Sequence, residues 1–202
     1  MIFDGVYKIS RVEAREFMRD HHYLGGVSNG CSPWGYYESG LLVAVAAFGV
    51  PATHTTRASI LGAQYAGNVF ELQRLATNGA ASITLSKFVS QALRAWTRHR
   101  RRKKYTAPYA VVSFADSGEG HHGGIYQAMS WGYYGITKGG DRQFRGHDGR
   151  VVYARINGVN HRPDLPQEKT TPKHRYIKHI NKRAPIMFKP KPYPKPGRKD
   201  SF

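Results

Sequence analysis

Acidic residues are scarce in this chain. Its 202 residues hold 13 Asp and Glu against 31 Lys and Arg, a formal charge of +18 at pH 7. Such a field attracts polyanions, nucleic acid being the commonest, although a ribosomal or membrane-surface role would give the same number. Cysteine is scarcer still. Cys31 stands alone, so no disulfide can form within the chain, and a reducing compartment, the cytoplasm, is expected. No apolar run nears the roughly 20 residues that cross a bilayer, and no charged-then-apolar leader opens the chain. A soluble protein without a membrane partner is expected.

What is present suffices for a core: 40% hydrophobic residues, 12% of all residues aromatic. The composition shifts at His161. Eight of the 11 prolines lie in residues 161–202, with 12 Lys and Arg against three acids, a balance of +9 out of +18. Residues 1–160 are therefore expected to be the folded domain. Residues 161–202 read as a basic, proline-rich arm, extended over 189–196, with a hint of one helical turn at 176–180.

Periodicity lays out the elements. Residues 6–9 form a short strand, and Ser10 with Glu13 makes a capping box for a helix running to Tyr23. Strands over 34–38 and 41–50 meet at a Ser39-Gly40 turn; the second is almost wholly apolar, as a strand buried on both faces would be. Residues 51–67 read as a loop with one helical turn. A strand over 69–75 leads through Asn78-Gly79 to Ser82, which caps a helix whose Leu85, Phe88, Val89, Ala92, Leu93 and Trp96 recur at helical spacing. That helix runs out into a basic cluster, residues 98–104. A strand over 109–115 delivers Asp116, a Gly-rich turn carries His121 and His122, and a short helix opens at Ile125. Residues 132–136 and 151–156 are closing strands, around a polar loop with Asp141, His147 and Asp148. A strand, a crossover helix and another strand normally pair in parallel, and ligands collect beyond the carboxyl ends of such strands.

This order of elements resembles the GNAT acyltransferase superfamily, most clearly over 125–135, where Ile125-Tyr126 precedes a Gly132-Tyr133 step. The resemblance implies an α/β (α+β) fold: a mixed sheet, helices on both faces, and central parallel strands splayed at the active site. In many members the equivalent tyrosine protonates the departing CoA thiolate, a role that would fall to Tyr126. The superfamily's pyrophosphate loop, Arg/Gln-x-x-Gly-x-Gly/Ala, has residues 78–84 as its counterpart, with one glycine and no basic residue. Asn78, Gly79, Ser82, Thr84 and Ser117 are the candidate cofactor contacts, the helix start still offering amides to a phosphate. The donor is left open between acetyl-CoA and another acyl or glycyl donor.

A closer resemblance is to the phage DNA-modification family typified by the Mom protein of bacteriophage Mu. It is carried by His22-Tyr23, residues 70–75 and 86–94, Ala115-Asp116 and residues 120–128. It implies conversion of the adenine N6 amine in phage DNA to a carbamoylmethyl form that shields DNA from restriction. It also implies bound iron in at least part of the family.

The residues can be weighed on their own chemistry. A buried carboxylate is costly unless paired, bonded or metal-bound, so Glu71 and Asp116 each serve chemistry or balance a cation such as Arg74 or Arg94. One of them would accept the amine proton as the C–N bond forms. His22 would orient the base or, with Glu71 and Asp116, hold iron. Adjacent helical residues point about 100° apart, so one of His21 and His22 faces the site. Tyr23 would stack on the base or hydrogen-bond to it. His121 and His122 could ligate metal, touch phosphate or decorate their turn. An amine inside a duplex must be flipped or single-stranded and received by aromatics, for which Trp34, Tyr36, Tyr37 and Tyr133 are candidates. Tyr36, Tyr37, Arg98, Arg100, Arg101, Arg102, Lys103 and Lys104 are the expected DNA contacts, the basic ones forming a rim to the cleft. DNA is the expected partner, and a homodimer is left open. Two rival readings remain: a non-catalytic nucleic-acid-binding protein, and an ordinary N-acyltransferase acting on a small amine or a protein.

Overall fold

The computed structural model describes residues 4–139, 142–146, 151–152, 155–156, 159–160 and 164–195. Asp141, His147 and Asp148 lie outside the described residues. In chain order the strands are β1 (Gly5–Lys8), β2 (Ser32–Glu38), β3 (Leu41–Gly49), β4 (Val69–Thr77), β5 (Ala110–Asp116) and β6 (Gly132–Ile136). Shorter strands follow: β7 (Arg142–Arg145), β8 (Val151–Val152), β9 (Arg155–Ile156), β10 (Val159–Asn160) and β11 (Gln167–Lys169). Then comes the longer β12 (Lys173–His179). The helices are α1 (Arg11–His21), α2 (His54–Leu61), α3 (Leu85–Arg102) and α4 (Gly124–Ala128). The main sheet has the order β1-β2-β3-β4-β5-β12-β6, with β4 and β5 parallel and every other pair antiparallel. Two small ribbons, β11-β7-β8 and β10-β9, stand apart from it.

Side-chain alternation decides which helix covers which face. On β3, Ala44, Ala46 and Phe48 meet Phe88, Val89, Ala92 and Trp96 of α3, while Val45 meets Ala14, Phe17 and Met18 of α1. That strand is buried on both faces, as its apolar run suggested. Tyr126 of α4 joins the core under α3. Ile60 and Leu61 of α2 pack with Val69, Val112 and Ile177 on the opposite face. Helices thus cover both faces of the mixed sheet. The Ser10 hydroxyl accepts the Glu13 amide and starts α1 as expected. The cap of α3, however, is Thr84, whose side chain accepts the Lys87 amide, and not Ser82. Residues 51–67 are also more ordered than a loop: Thr53 caps two turns of α2, and a 3-10 turn, Ala63–Asn68, follows.

The largest departure concerns the basic arm. Residues 173–179 are not an appendage with a helical turn but β12, hydrogen-bonded to β5 from Lys173↔Asp116 to His179↔Ala110, with β6 on its other side. Tyr176 and Ile177 are fully buried. Without this strand the backbone groups of β5 and β6 that face it would lack partners, a demand that overrides local composition. Pro172 and Pro185 bracket the strand and do not interrupt it. Beyond it the chain stays on the domain: the Lys191 amide donates to the Tyr133 carbonyl and the Tyr193 hydroxyl to the Trp131 carbonyl.

The parallel pair is short. β4 and β5 are matched at Val69↔Ala110, Phe70↔Val111 and Glu71↔Val112, and then they part. Phe48 opposes Leu72 while Ala47 opposes Arg74, so Gln73 is an extra residue on β4, a bulge that bends the strand at the split. The Leu72 carbonyl accepts the Ser113 hydroxyl at 2.9 Å across the opening. The splaying expected of the central strands is what positions the site.

Candidate active site

A cleft of about 600 Å³ opens between the parted ends of β4 and β5. Its walls are residues 72–77 of β4, residues 113–116 of β5, the end of α1 from His21 to Tyr23, and the turn of residues 119–124. Tyr126 of α4 and Leu85 of α3 complete it.

Asp116 is 8% exposed and heavily engaged. Its Oδ2 lies 2.9 Å from Lys173 Nζ and 3.5 Å from the Tyr23 hydroxyl, which donates to it. Its Oδ1 accepts the Thr171 hydroxyl and, at 3.1 Å, the Gly118 amide. Burial by itself would raise its pKa. The hydrogen bonds from Thr171, Lys173 and Gly118 and the Lys173 charge outweigh that and hold the carboxyl below its ordinary value. Asp116 is therefore a firmly ionised group, suited to orienting a partner and weak as a proton acceptor.

His22 and Tyr23 stack with ring centroids 4.6 Å apart. Burial, then the charges of Arg74 and His121, pushes the His22 pKa down to about 4, so the imidazole is neutral near pH 7. Its Nδ1 accepts the Leu24 amide at 3.1 Å, which leaves the proton on Nε2. A metal-bound imidazole normally donates from its second nitrogen; here that nitrogen accepts. Among the described residues no three His, Cys, Asp or Glu side chains come together as a metal site. The proposed set of His22, Glu71 and Asp116 does not fit an iron ion, because Lys173 and Thr171 already occupy Asp116 and Glu71 stands apart.

Phe70 and Leu72 enter the core under α3, so strand alternation turns Glu71 toward the other face, and it does not line the cleft. Burial pushes its carboxyl up to about 7, with Arg74 and Lys173 pulling only partly back. Two acids at the strand split thus have their pKa values moved in opposite directions. Tyr126 is buried and 2.8 Å from Ser113 Oγ. Since the Ser113 proton goes to the Leu72 carbonyl, Tyr126 donates to Ser113. Burial raises the phenol's pKa, and the field of Glu71 adds to that against the Ser113 hydrogen bond.

Other candidates do not converge. Asn78, Gly79, Ser82 and Thr84 lie outside the cleft walls. The Ala80 amide donates to Asn78 Oδ1, the Gly79 amide to Thr77 Oγ1, and the Ser82 amide and hydroxyl both to Glu38. The Gly79, Ala80 and Ser82 amides are engaged and the Glu38 carboxylate sits at Ser82, a setting that disfavours a pyrophosphate at this part of the loop. Ser117 ties β5 to the Pro172 carbonyl at 2.6 Å. Tyr37 is buried, its hydroxyl donating to Glu13, and Tyr36 packs on Phe88; neither is a DNA-stacking surface. Trp34 and Tyr133 are likewise core residues. The basic cluster sits at the far end of α3, about 25 Å from Leu85 at 1.5 Å per residue, so it is not a rim of the cleft. Arg100 is not a free cation: its guanidinium lies 4.2 Å over the Phe70 ring and its Nε donates to Thr106.

The reading from sequence missed Lys173 and Thr171, which hold Asp116, and treated Arg74 only as a countercharge. Arg74 is anchored by the Gly26 and Gln73 carbonyls and lines the cleft. A signal for Lys173 existed: His174 and Tyr176 alternate with polar residues between two prolines, a strand pattern.

The overall architecture defines the class. It superposes on yncA of Salmonella typhimurium, solved with its cofactor acetyl-CoA, with TM-score 0.51 and 10% identity, covering 91% of this chain and 98% of that one. NAA60 of Arabidopsis thaliana in complex with acetyl-CoA gives 0.51 and 9%, covering 88% and 99%. The fold is that of the GNAT acetyltransferases. No curated protein matches the sequence significantly. The Mom protein family matches residues 5–195, and the chain belongs to that family.

Proposed function

We propose that the chain is a transferase that modifies adenine N6 in DNA to a carbamoylmethyl derivative and so protects the DNA from restriction. One observation carries the reading: an ionised, clamped Asp116 meets a Tyr23 hydroxyl whose ring is stacked on a neutral His22, inside a cleft at the strand split. A volume of about 600 Å³ suits a small-molecule site, with room for an extruded base and the group it receives.

The base stacks at Tyr23, and the His22 Nε2–H donates to a ring nitrogen. Asp116 keeps Tyr23 oriented. The amine loses a proton as its nitrogen bonds the incoming carbon, and Glu71, with its pKa near 7, is the better acceptor. Because Glu71 does not line the cleft, that proton travels through water. Tyr126 O–H, turned from Ser113, is the acid for the donor's leaving group. The incoming carbon is the methylene of the carbamoylmethyl group, so the donor carries its leaving group on that carbon and that group departs with the Tyr126 proton; plain acyl transfer would give an amide instead.

Mass spectrometry of nucleosides from DNA of cells expressing the chain tests this. A modified deoxyadenosine, lost with Asp116→Ala, is expected. Unmodified deoxyadenosine with the wild-type chain would overturn the reading.

A further inference from the structure

The basic character of α3 is wider than its last turn. At 100° per residue, Lys87, Arg94, Arg98, Arg101 and Arg102 fall within an arc of about 100°. That arc is opposite the face formed by Phe88, Val89, Ala92 and Trp96. All five are exposed. They extend about 22 Å along the axis from Lys87, on the side of the helix away from the core. The helix contains no Asp or Glu. None of the five side chains forms an ion pair or a hydrogen bond among the described residues. Cations four residues apart, as in Arg94–Arg98 and Arg98–Arg102, repel one another, a cost that the helix dipole offsets only for Arg101 and Arg102 in the last turn.

We infer that the outer face of α3 is a track for the phosphate backbone of duplex DNA. The inference rests on the DNA reading above and revises which residues make the contact: Lys87 and Arg94 join, and Arg100, tucked over Phe70, drops out. A straight row of about 22 Å covers some six or seven base pairs of axial rise at about 3.4 Å each, a rigid line of charge that a duplex supplies.

The test compares two combined variants of the full chain, each checked for an unchanged melting temperature. One carries Lys87→Gln, Arg94→Gln, Arg98→Gln, Arg101→Gln and Arg102→Gln. The other carries Lys182→Gln, Arg183→Gln and Lys189→Gln, exposed cations elsewhere. Affinity for a fluorescent 30-bp duplex is measured across sodium chloride concentrations. Each phosphate contact contributes a slope of about −0.9 in log K against log salt, so the first variant, with five contacts removed, should lose about 4.5 of slope. The second should lose less than about 1. A wild-type slope in the first variant overturns the inference, as does an equal loss per charge in both. Binding of the wild-type chain to anionic lipid vesicles but not to the duplex overturns it too. If wild type modifies adenine while the first variant keeps its slope, the track is wrong and the enzyme reading stands. If no modified nucleoside forms yet the slope falls, the track stands and the enzyme reading falls.

Discussion

The two sides of the strand split treat their acids in opposite ways. On β5, Asp116 accepts hydrogen bonds from Thr171, Gly118 and Lys173 and stays charged. On β4, Glu71 is half-buried, Arg74 and Lys173 only partly offset its desolvation, and its pKa rises to about 7. One fold thus makes a fixed negative charge and a movable proton site from the same functional group. The difference comes from what surrounds each carboxyl, and it can be tested from both sides.

The largest effect should come from Asp116→Asn, which keeps most of the shape but leaves Lys173 without a countercharge. Modification measured by nucleoside mass spectrometry should fall by about 100-fold or more. Adding Lys173→Met should recover melting temperature but not activity; recovered activity would make Asp116 merely structural. Next, Glu71→Gln should lower the rate by about 10- to 100-fold. Wild-type rate should rise with pH through about 7, and that limb should vanish in the variant. A smaller loss, about tenfold, is expected for Tyr23→Ala through lost stacking, and only a few-fold for Tyr23→Phe, which keeps the ring. Stability against pH should separate the groups further. Glu71 binds its proton more tightly folded than unfolded, so its contribution is lost as pH rises from 4.5 to about 7. Glu71→Gln should therefore stabilise at pH 8 and not at pH 4. His22 binds its proton less tightly when folded, so its contribution is lost as pH falls from 6.5 to about 4, and His22→Gln should flatten that window. Chemical denaturation across pH measures both. Last, Tyr37→Phe should cost about 1 kcal/mol of stability and leave modification unchanged, since the hydroxyl serves Glu13 within the core.

How much of this could be read beforehand varied with the range of the interaction. Helix α1, strands β2 to β5 and helix α3 follow from periodicity and caps, which are local. His22, Tyr23 and Asp116 were legible because each ends an element whose direction is set by the fold. The position of Glu71 was also written in the alternation Phe70, Glu71, Leu72, where two core residues turn the one between them away. The distance between the cleft and residues 98–104 follows from helix rise alone. By contrast, β12 pairs with strands 37 or more residues earlier in the chain, and its lysines and bracketing prolines carry the composition of a tail. Tyr36 and Tyr37 misled for a related reason. Alternation sends Tyr36 toward α3 and Tyr37 toward α1, and because helices from elsewhere in the chain cover both faces, both rings pack inward.

The place of β12 has a consequence for biosynthesis. An inner strand of the sheet is drawn from residues well downstream of the two it joins, so a growing polypeptide emerges with β5 and β6 exposing unmatched edges. Until residues 171–173 leave the ribosome, Asp116 has neither its hydroxyl donor nor its ammonium neighbour. Asp116 is therefore clamped only once β12 has emerged, and a product stopped before it would keep those strand edges bare.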